Sequence, residues 1–216
     1  MEHDPENEKR VAATASADLV EDGMLVGLGT GSTVAYLLPA LGRRRLDISC
    51  VATSPATESL AVKEGLRVGP FDGIDRLTIA IDGADQVDPS GWLIKGGGGA
   101  HTREKIVAAA ADRFVVIVSS NKLVERLAPP VPLEIMAFGL DSVLRALPGV
   151  VLRQAPRTPD GGVLADYHGD VDDPERLAAL FGATAGIVGH GLFPPTMVSV
   201  VLVGRGKHAE SIRPDG

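Results

Sequence analysis

Aromatic residues are scarce in this chain: five Phe, two Tyr and one Trp among 216 residues. A core must then be built from Ala, Val, Ile and Leu, which suits buried strands covered by Ala-rich helices. The single cysteine, Cys50, excludes an intrachain disulfide and a cysteine-based metal framework. Within Ile48-Ser49-Cys50-Val51-Ala52 it reads as a buried structural thiol. No apolar run reaches the ~20 residues that span a bilayer. Met1 to Arg10 is charged and has no apolar stretch of the signal-peptide kind. The expectation is a cytoplasmic protein with no membrane partner. Basic charge is also sparse, with a formal net charge of -7 and one like-charge block, Arg43-Arg44-Arg45, read as a solvated helix end or turn. Without a basic patch a nucleic-acid groove is not expected. A small molecule is, even an anionic one, because local N–H dipoles can override net charge.

What is present is an alternation of apolar strands and Ala-rich helices. Helical spacing runs over Lys9–Val20, Thr33–Leu41 (closed by Gly42), Thr57–Glu64 (closed by Gly65) and Thr102–Ala111. Strands are expected at Met24–Leu28, Asp47–Ala52, Leu66–Val68, Leu77–Ile81 and Phe114–Ser119, and a short helix at Lys122–Leu127. This order predicts βαβ units on a parallel sheet. Ala128-Pro129-Pro130-Val131-Pro132 breaks the rhythm and reads as a boundary. Beyond it come a helix at Ala137–Ala146, a strand at Val150–Arg153, a turn at Asp160-Gly161-Gly162 and a strand at Val163–Tyr167. A helix at Pro174–Phe181 started by Asp173 and a strand from Ile187 follow. Val198–Val203 could return to the first sheet. The expected architecture is α/β. A Rossmann-like catalytic domain at 1–128, completed by a C-terminal strand in 197–216, carries a small α+β domain at 129–196.

The stretch from Asp82 to Lys105 holds the densest chemistry. Asp82 and Asp85 follow a buried strand, where carboxylates are poor core material; turn-capping is the plain alternative, and neither a calcium-loop pattern nor a ligand-spaced histidine pair favours a metal. Lys95 precedes Gly96-Gly97-Gly98-Gly99. A run of glycines carries an entropic cost on folding, so bare backbone is expected to meet an anion or substrate there. Lys95 itself reads as a cation for an enolate or phosphate, as a Schiff-base lysine, or as a surface lysine. Glu104 stands in the first turn of the next helix, as a dipole partner or as a base aimed into a site. Gly27-Leu-Gly-Thr-Gly-Ser-Thr33 follows a strand and opens a helix, where an α/β sheet binds phosphate. It lacks the Walker lysine and the third glycine of a dinucleotide loop, which argues against ATP and NAD. Thr53-Ser54-Pro55-Ala56-Thr57 should lie on the same sheet edge. His3, His168, His190 and His208 have no partner pattern.

Together these residues resemble the ribose-5-phosphate isomerase A family over nearly the whole chain. The resemblance is carried by Gly29-Thr30-Gly31-Ser32-Thr33, Asp82-Gly-Ala-Asp85, Lys95 with its glycine run, Thr102-Arg103-Glu104-Lys105 and Asn121-Lys122. Pro132-Leu-Glu and Val188-Gly-His-Gly-Leu-Phe193 add to it. It implies a Rossmann-like domain plus a smaller α+β, ferredoxin-like domain, commonly dimeric or tetrameric, needing no cofactor or metal. It implies conversion of D-ribose 5-phosphate to D-ribulose 5-phosphate, a sugar-phosphate step of the non-oxidative pentose phosphate pathway. Thr30, Gly31, Ser32 and Thr33 would lie at the substrate. Asp82, Gly83, Ala84, Asp85, Lys95, Gly96, Gly97 and Gly98 would line the sugar, and Lys122 and Lys9 would contact the substrate, Lys9 at the phosphate. Glu104 would be the proton acceptor moving a proton between C2 and C1 through a cis-enediolate. Lys95 would face the oxyanion. Asp82 would be the first choice for shuttling protons between O1 and O2 and opening the ring, with Asp85 orienting hydroxyls.

Departures from the family pattern are Gln86 for a common Glu, His101 for an apolar residue, the Thr158-Pro-Asp-Gly-Gly162 turn, and an irregular Gly182–Gly191. His101 next to Glu104 suggests tuning of its pKa. A sugar-phosphate sensor, an amino-sugar deaminase or lactonase, and a metal-dependent hydride-shift isomerase are the competing readings. The first would not need Glu104 and Lys95, the second requires other catalytic groups, and the third requires a ligand cluster.

Overall fold

The computed structural model describes residues 4–213; His3 and the last part of the expected 197–216 segment lie outside the described residues. The chain opens with α1 (Pro5–Ala17), whose Asp4 carboxylate accepts the Asn7 N–H at 3.1 Å, with Pro5 in the first turn where its missing N–H is no loss. There follow β1 (Leu25–Leu28), α2 (Val34–Arg44), β2 (Ser49–Ala52), α3 (Pro55–Lys63), β3 (Arg67–Val68), β4 (Ile79–Asp82), β5 (Gln86–Val87) and β6 (Leu93–Ile94). Next come α4 (His101–Ala109), β7 (Phe114–Ser119), a 3₁₀ turn over Ser120–Lys122 and β8 (Val131–Ile135). The remainder is α5 (Leu140–Ala146), β9 (Val150–Leu152), β10 (Val163–Tyr167), α6 (Pro174–Ala183), β11 (Ile187–His190), β12 (Leu192–Phe193), β13 (Val200–Arg205) and β14 (His208–Ile212).

Seven strands form the main sheet in the order β14-β13-β7-β4-β1-β2-β3. All pairs are parallel except the β13–β14 hairpin. The strongly apolar segment near residue 200 therefore does return to this sheet, beside β7. Every residue of β4 and β7 is buried, as parallel strands covered on both faces require. The chain winds outward from β1 through β2 to β3, then in the other direction from β4 to β7. Strand order thus reverses between β1 and β4, and in open α/β sheets ligands bind in the crevice at the C-terminal ends of such strands. Both Gly29–Thr33 and Asp82–Asp85 follow those ends.

A second sheet, β11-β8-β10-β9, is antiparallel. With α5 and α6 it gives the βαββαβ order of a ferredoxin-like unit, with Leu133, Ile135, Val143, Ala165 and Phe181 among its buried residues. Three two-residue strands, β12-β6-β5, form a small bridge of sheet.

Several local expectations are corrected. Gly42 lies inside α2, which ends at Arg44; Arg45 takes the left-handed conformation (φ 52°) that closes it. Arg44 is more than solvated, since its guanidinium caps the carbonyls of Ala17 and Val20. Lys122–Leu127 is not a helix: Leu123 is already extended and the Val124 N–H donates to Val87 O at 2.9 Å. The proline cluster leads straight into β8, with Pro132 inside that strand. The turn at Asp160-Gly161-Gly162 closes on Thr158 rather than joining β9 directly to β10. Cys50 is buried, and its thiol is pushed up to about 12 by burial. No described helix is long and apolar enough to cross a membrane.

Candidate active site

Asp82 is the last residue of β4, buried beneath the loop that follows β1. Its Oδ1 accepts the N–H groups of Thr30 (3.0 Å) and Gly83 (2.7 Å). The approach of the two loops is so close that a Cβ on Gly29 would lie 1.9 Å from the Asp82 carboxylate, so only glycine fits there. Thr30 is held from behind by hydroxyls: its Oγ1 lies 2.8 Å from Thr53 Oγ1 and donates to Ser54 Oγ at 2.9 Å, while Thr57 Oγ1 donates to Gly29 O at 2.9 Å. The second loop thus meets the first on one sheet edge.

Lys95 follows β6 and reaches back to Asp82. Its Nζ donates to Asp82 Oδ2 at 2.8 Å and to the Gly83 carbonyl, and stands 3.0 Å from Glu104 Oε2. In α4, His101, Glu104, Val107 and Ala108 share the buried face, and this spacing turns Glu104 inward. Asp82, Lys95 and Glu104 are 3%, 2% and 5% exposed, so one ammonium lies between two carboxylates away from water. That triad carries one net negative charge, and burial favours an added proton. Burial, reinforced by the charge of Asp82, pushes the Glu104 carboxyl up to about 8, with Lys95 opposing. Burial also raises Asp82 against the pull of Lys95. For Lys95 burial alone would lower the pKa, but the two carboxylates overcome it and hold the ammonium above its ordinary range.

A cavity of about 100 Å³ opens above this triad. It is smaller than the ~300–1,000 Å³ typical of drug-sized sites, so it suits a small ligand. All the residues expected at the substrate line it except Asp82, which lies underneath, and Lys9, whose Nζ is paired with Glu6 at 2.6 Å. Thr30 to Thr33 form one wall; Gly83, Ala84 and Asp85 form a second; Gly96, Gly97 and Gly98 form a third. Lys122 closes one end from the 3₁₀ turn, which Glu8 braces by accepting both the N–H and Oγ–H of Ser120 at 2.8 Å. A larger cavity of about 650 Å³, near Trp92 and Asp173, has charged residues in its lining, none of them buried.

The glycine run differs from its expectation. Only Gly98 stands open; added Cβ atoms would strike His101 at Gly96 and Leu164 at Gly99, and would press on Asp85 at Gly97. Close packing accounts for most of the run. Asp85 Oδ2 accepts the Gly97 N–H at 2.8 Å, which leaves Asp85 facing the cavity. His101 is fully buried, and burial, with the nearby positive charges of Lys105 and Arg153, lowers it to about 3. A ring that stays neutral exerts little electrostatic control over Glu104; its role here is to pack against Gly96.

Two contacts made by residues far along the chain were not expected from the sequence. Arg153 donates to the carbonyls of Gly96 (2.9 Å) and Gly97 (3.2 Å) while its other nitrogens pair with both oxygens of Asp166. Gly191 accepts the Lys95 N–H at 2.8 Å. Neither residue lies near Asp82–Glu104 in sequence.

Comparison with known proteins finds relatives by sequence and by fold. The family model of ribose 5-phosphate isomerase A (phosphoriboisomerase A) matches residues 49–208. A ribose-5-phosphate isomerase A of Methanosarcina acetivorans is 44% identical, covering 86% of each chain. The crystal structure of ribose 5 phosphate isomerase A from Neisseria gonorrhoeae superposes with a TM-score of 0.94 at 32% identity, covering 100% of both chains. A D-ribose-5-phosphate isomerase in complex with phospho-erythronic acid superposes with a TM-score of 0.91 at 32% identity, covering 97% of this chain and 99% of that one. By sequence and by fold, this chain belongs to the ribose 5-phosphate isomerase A family.

Proposed function

We propose that the protein interconverts D-ribose 5-phosphate and D-ribulose 5-phosphate by proton transfer. The observation that carries this is the buried Asp82–Lys95–Glu104 triad beneath a small polar cavity. Aldose and ketose differ by one proton moved from C2 to C1 and one moved from O2 to O1. Glu104 takes the C2 proton, leaving a cis-enediolate, and returns it to C1. A carboxyl held near pH 8 can both accept and give back a proton at neutral pH. The Lys95 ammonium faces the enediolate oxygens and stabilises their developing charge in a site shielded from water.

The sequence made Asp82 the first choice for the O1–O2 shuttle. With Oδ1 taken by two N–H groups and Oδ2 by Lys95, we assign Asp82 a part through Lys95. Lys95 gives a proton to one oxygen and recovers one from the other, and Asp82 keeps it cationic. Asp85, which lines the cavity, orients substrate hydroxyls and assists ring opening. Ser32, Thr33 and Lys122 hold the phosphate, aided by the N–H groups opening α2. Lys9 joins them by exchanging Glu6 for phosphate. The ligand of the related complex supports this reading. Phospho-erythronic acid carries a phosphate at one end of a short polyol and a carboxylate at the other, the latter matching the charge and paired oxygens of an enediolate.

We also propose a cytoplasmic homodimer or homotetramer, with residues 129–196 as a separate small domain. Sugar phosphates do not cross membranes unaided, so the enzyme belongs where they are made. Met136, Phe138 and Val188 are each exposed and offer apolar surface to a second copy; light scattering of the purified protein reads the assembly.

The deciding experiment is conversion of D-ribose 5-phosphate by purified protein with EDTA present, alongside Glu104→Gln. Turnover in EDTA is expected, with E104Q binding substrate yet losing most of kcat. Turnover restored only by a divalent metal, or an E104Q variant as active as the parent, overturns the mechanism.

A further inference from the structure

Lys105 is adjacent to Glu104 in α4 but faces another way. Its Nζ donates to the carbonyls of His190 (2.7 Å) and Leu192 (2.8 Å), the two residues that flank Gly191. It also stands 3.2 Å from His190 Nδ1 and 4.8 Å from the centre of the Phe193 ring. The Lys95 ammonium lies 5.3 Å from the same ring centre, so one aromatic side chain contacts both lysines. Between the two clamped carbonyls, Gly191 accepts the Lys95 N–H at 2.8 Å and donates its own N–H to Pro132 O at 2.7 Å. A Cβ on Gly191 would lie 2.1 Å from the Lys95 carbonyl oxygen, so the two backbones are in direct contact.

We propose that Lys105 is a positioning residue for the Lys95–Glu104 pair. It fixes the peptides on either side of Gly191, and Gly191 in turn fixes the backbone of Lys95. The neighbouring residue of the same helix turn supplies the base, so α4 sets both ends of the 3.0 Å contact: Glu104 directly, and Lys95 through Lys105 and Gly191. Lys105 does not line the substrate cavity, so its effect falls on geometry rather than on binding. The inference rests on the isomerase reading above.

The test is steady-state kinetics on D-ribose 5-phosphate across pH for Lys105→Met, which keeps side-chain length and removes the donors. A misplacement of about 1 Å can cost a hundredfold in rate, so kcat is expected to fall about ten- to a hundredfold with KM within about threefold of the parent. A second readout separates positioning from general loosening. Glu104 is faced by Asp82 from β4, by Lys95 after β6 and by Asp85, and Lys95 is the one that opposes its proton uptake. Withdrawing Lys95 raises the pH at which kcat/KM levels off. Lys105→Arg, which keeps the donors and stays charged where burial lowers Lys105 to about 7, is expected to regain part of kcat and to return the limb toward the parent's position. A folded K105M with parental kcat, a loss confined to KM, or an unmoved pH limb overturns the proposal. Should K105M lack a cooperative melt, Lys105→Gln, whose shorter side chain cannot reach both carbonyls, is judged by the same limb, and parental behaviour there overturns the proposal. E104Q in the same assay separates the two readings: parental turnover in E104Q defeats the base assignment, whatever K105M does.

Discussion

Glu104 Oε2 and Lys95 Nζ stand 3.0 Å apart, a carboxyl and an ammonium brought from a helix and a strand end into the same dry pocket. Neither is at its ordinary charge balance: the carboxyl is held up to about 8 by burial and by Asp82, while the ammonium remains charged between two carboxylates.

The base acts only when ionised, so kcat/KM is expected to rise with pH up to about 8 and then level. Lys95→Met removes the cation that opposes proton uptake by Glu104. Its limb should move to higher pH and its kcat fall by about a hundredfold or more, as for loss of a preorganised oxyanion partner. A pH–rate series on both proteins checks this; an unmoved limb in K95M would separate Lys95 from Glu104.

Arg153 ties the second sheet to the wall of the site by holding the Gly96 and Gly97 carbonyls. Arg153→Met leaves those carbonyls and the Asp166 carboxylate without their donor. The expected cost is about 1–3 kcal/mol of stability, together with a kcat loss larger than the change in KM. Urea unfolding and steady-state kinetics on one preparation measure both, and unchanged kcat in a destabilised variant would show the tie to be structural only.

His101 and His190 are both lowered to about 3, chiefly by burial. The unfolded chain binds protons there that the native one does not, so this contribution is complete above pH ~6.5 and is lost as pH falls toward 3. Glu104 has the opposite sign between about 4.5 and 8, since the native state keeps its proton. Comparing His101→Leu with the parent isolates one histidine. Their unfolding free energies should diverge by about 1.4 kcal/mol per pH unit below 6.5. Parallel curves would mean that His101 is not buried neutral.

Much of the site was legible because its parts obey local rules. Asp82 ends an apolar run, and Glu104 falls on the face of α4 shared with Val107 and Ala108. The first glycine loop sits between a strand and a helix. What was not legible is long-range. Arg153 meets Gly96 across 57 residues and Lys105 meets Leu192 across 87, and no spacing in the chain announces either contact. The two-residue strands β5, β6 and β12 are too short for an alternating pattern to register. The Lys122–Leu127 segment had helix-like apolar spacing. Its Leu123 and Val124 instead pack and hydrogen-bond against β5, a tertiary contact that overrides local preference. In the glycine run, close neighbours at Gly96, Gly97 and Gly99 add a packing reason that local sequence does not announce, while Gly98 stands open at the cavity.

Gly191 and Arg153 tie the backbone of Lys95, Gly96 and Gly97 to strands of the second sheet, none of whose residues lines the small cavity. For a protein engineer, the small sheet is therefore not a free module to exchange or trim. Changes to its strand register, or to the loops beside β9 and β11, should surface as slower turnover before they surface as weaker binding. Screens that score affinity alone would pass over them.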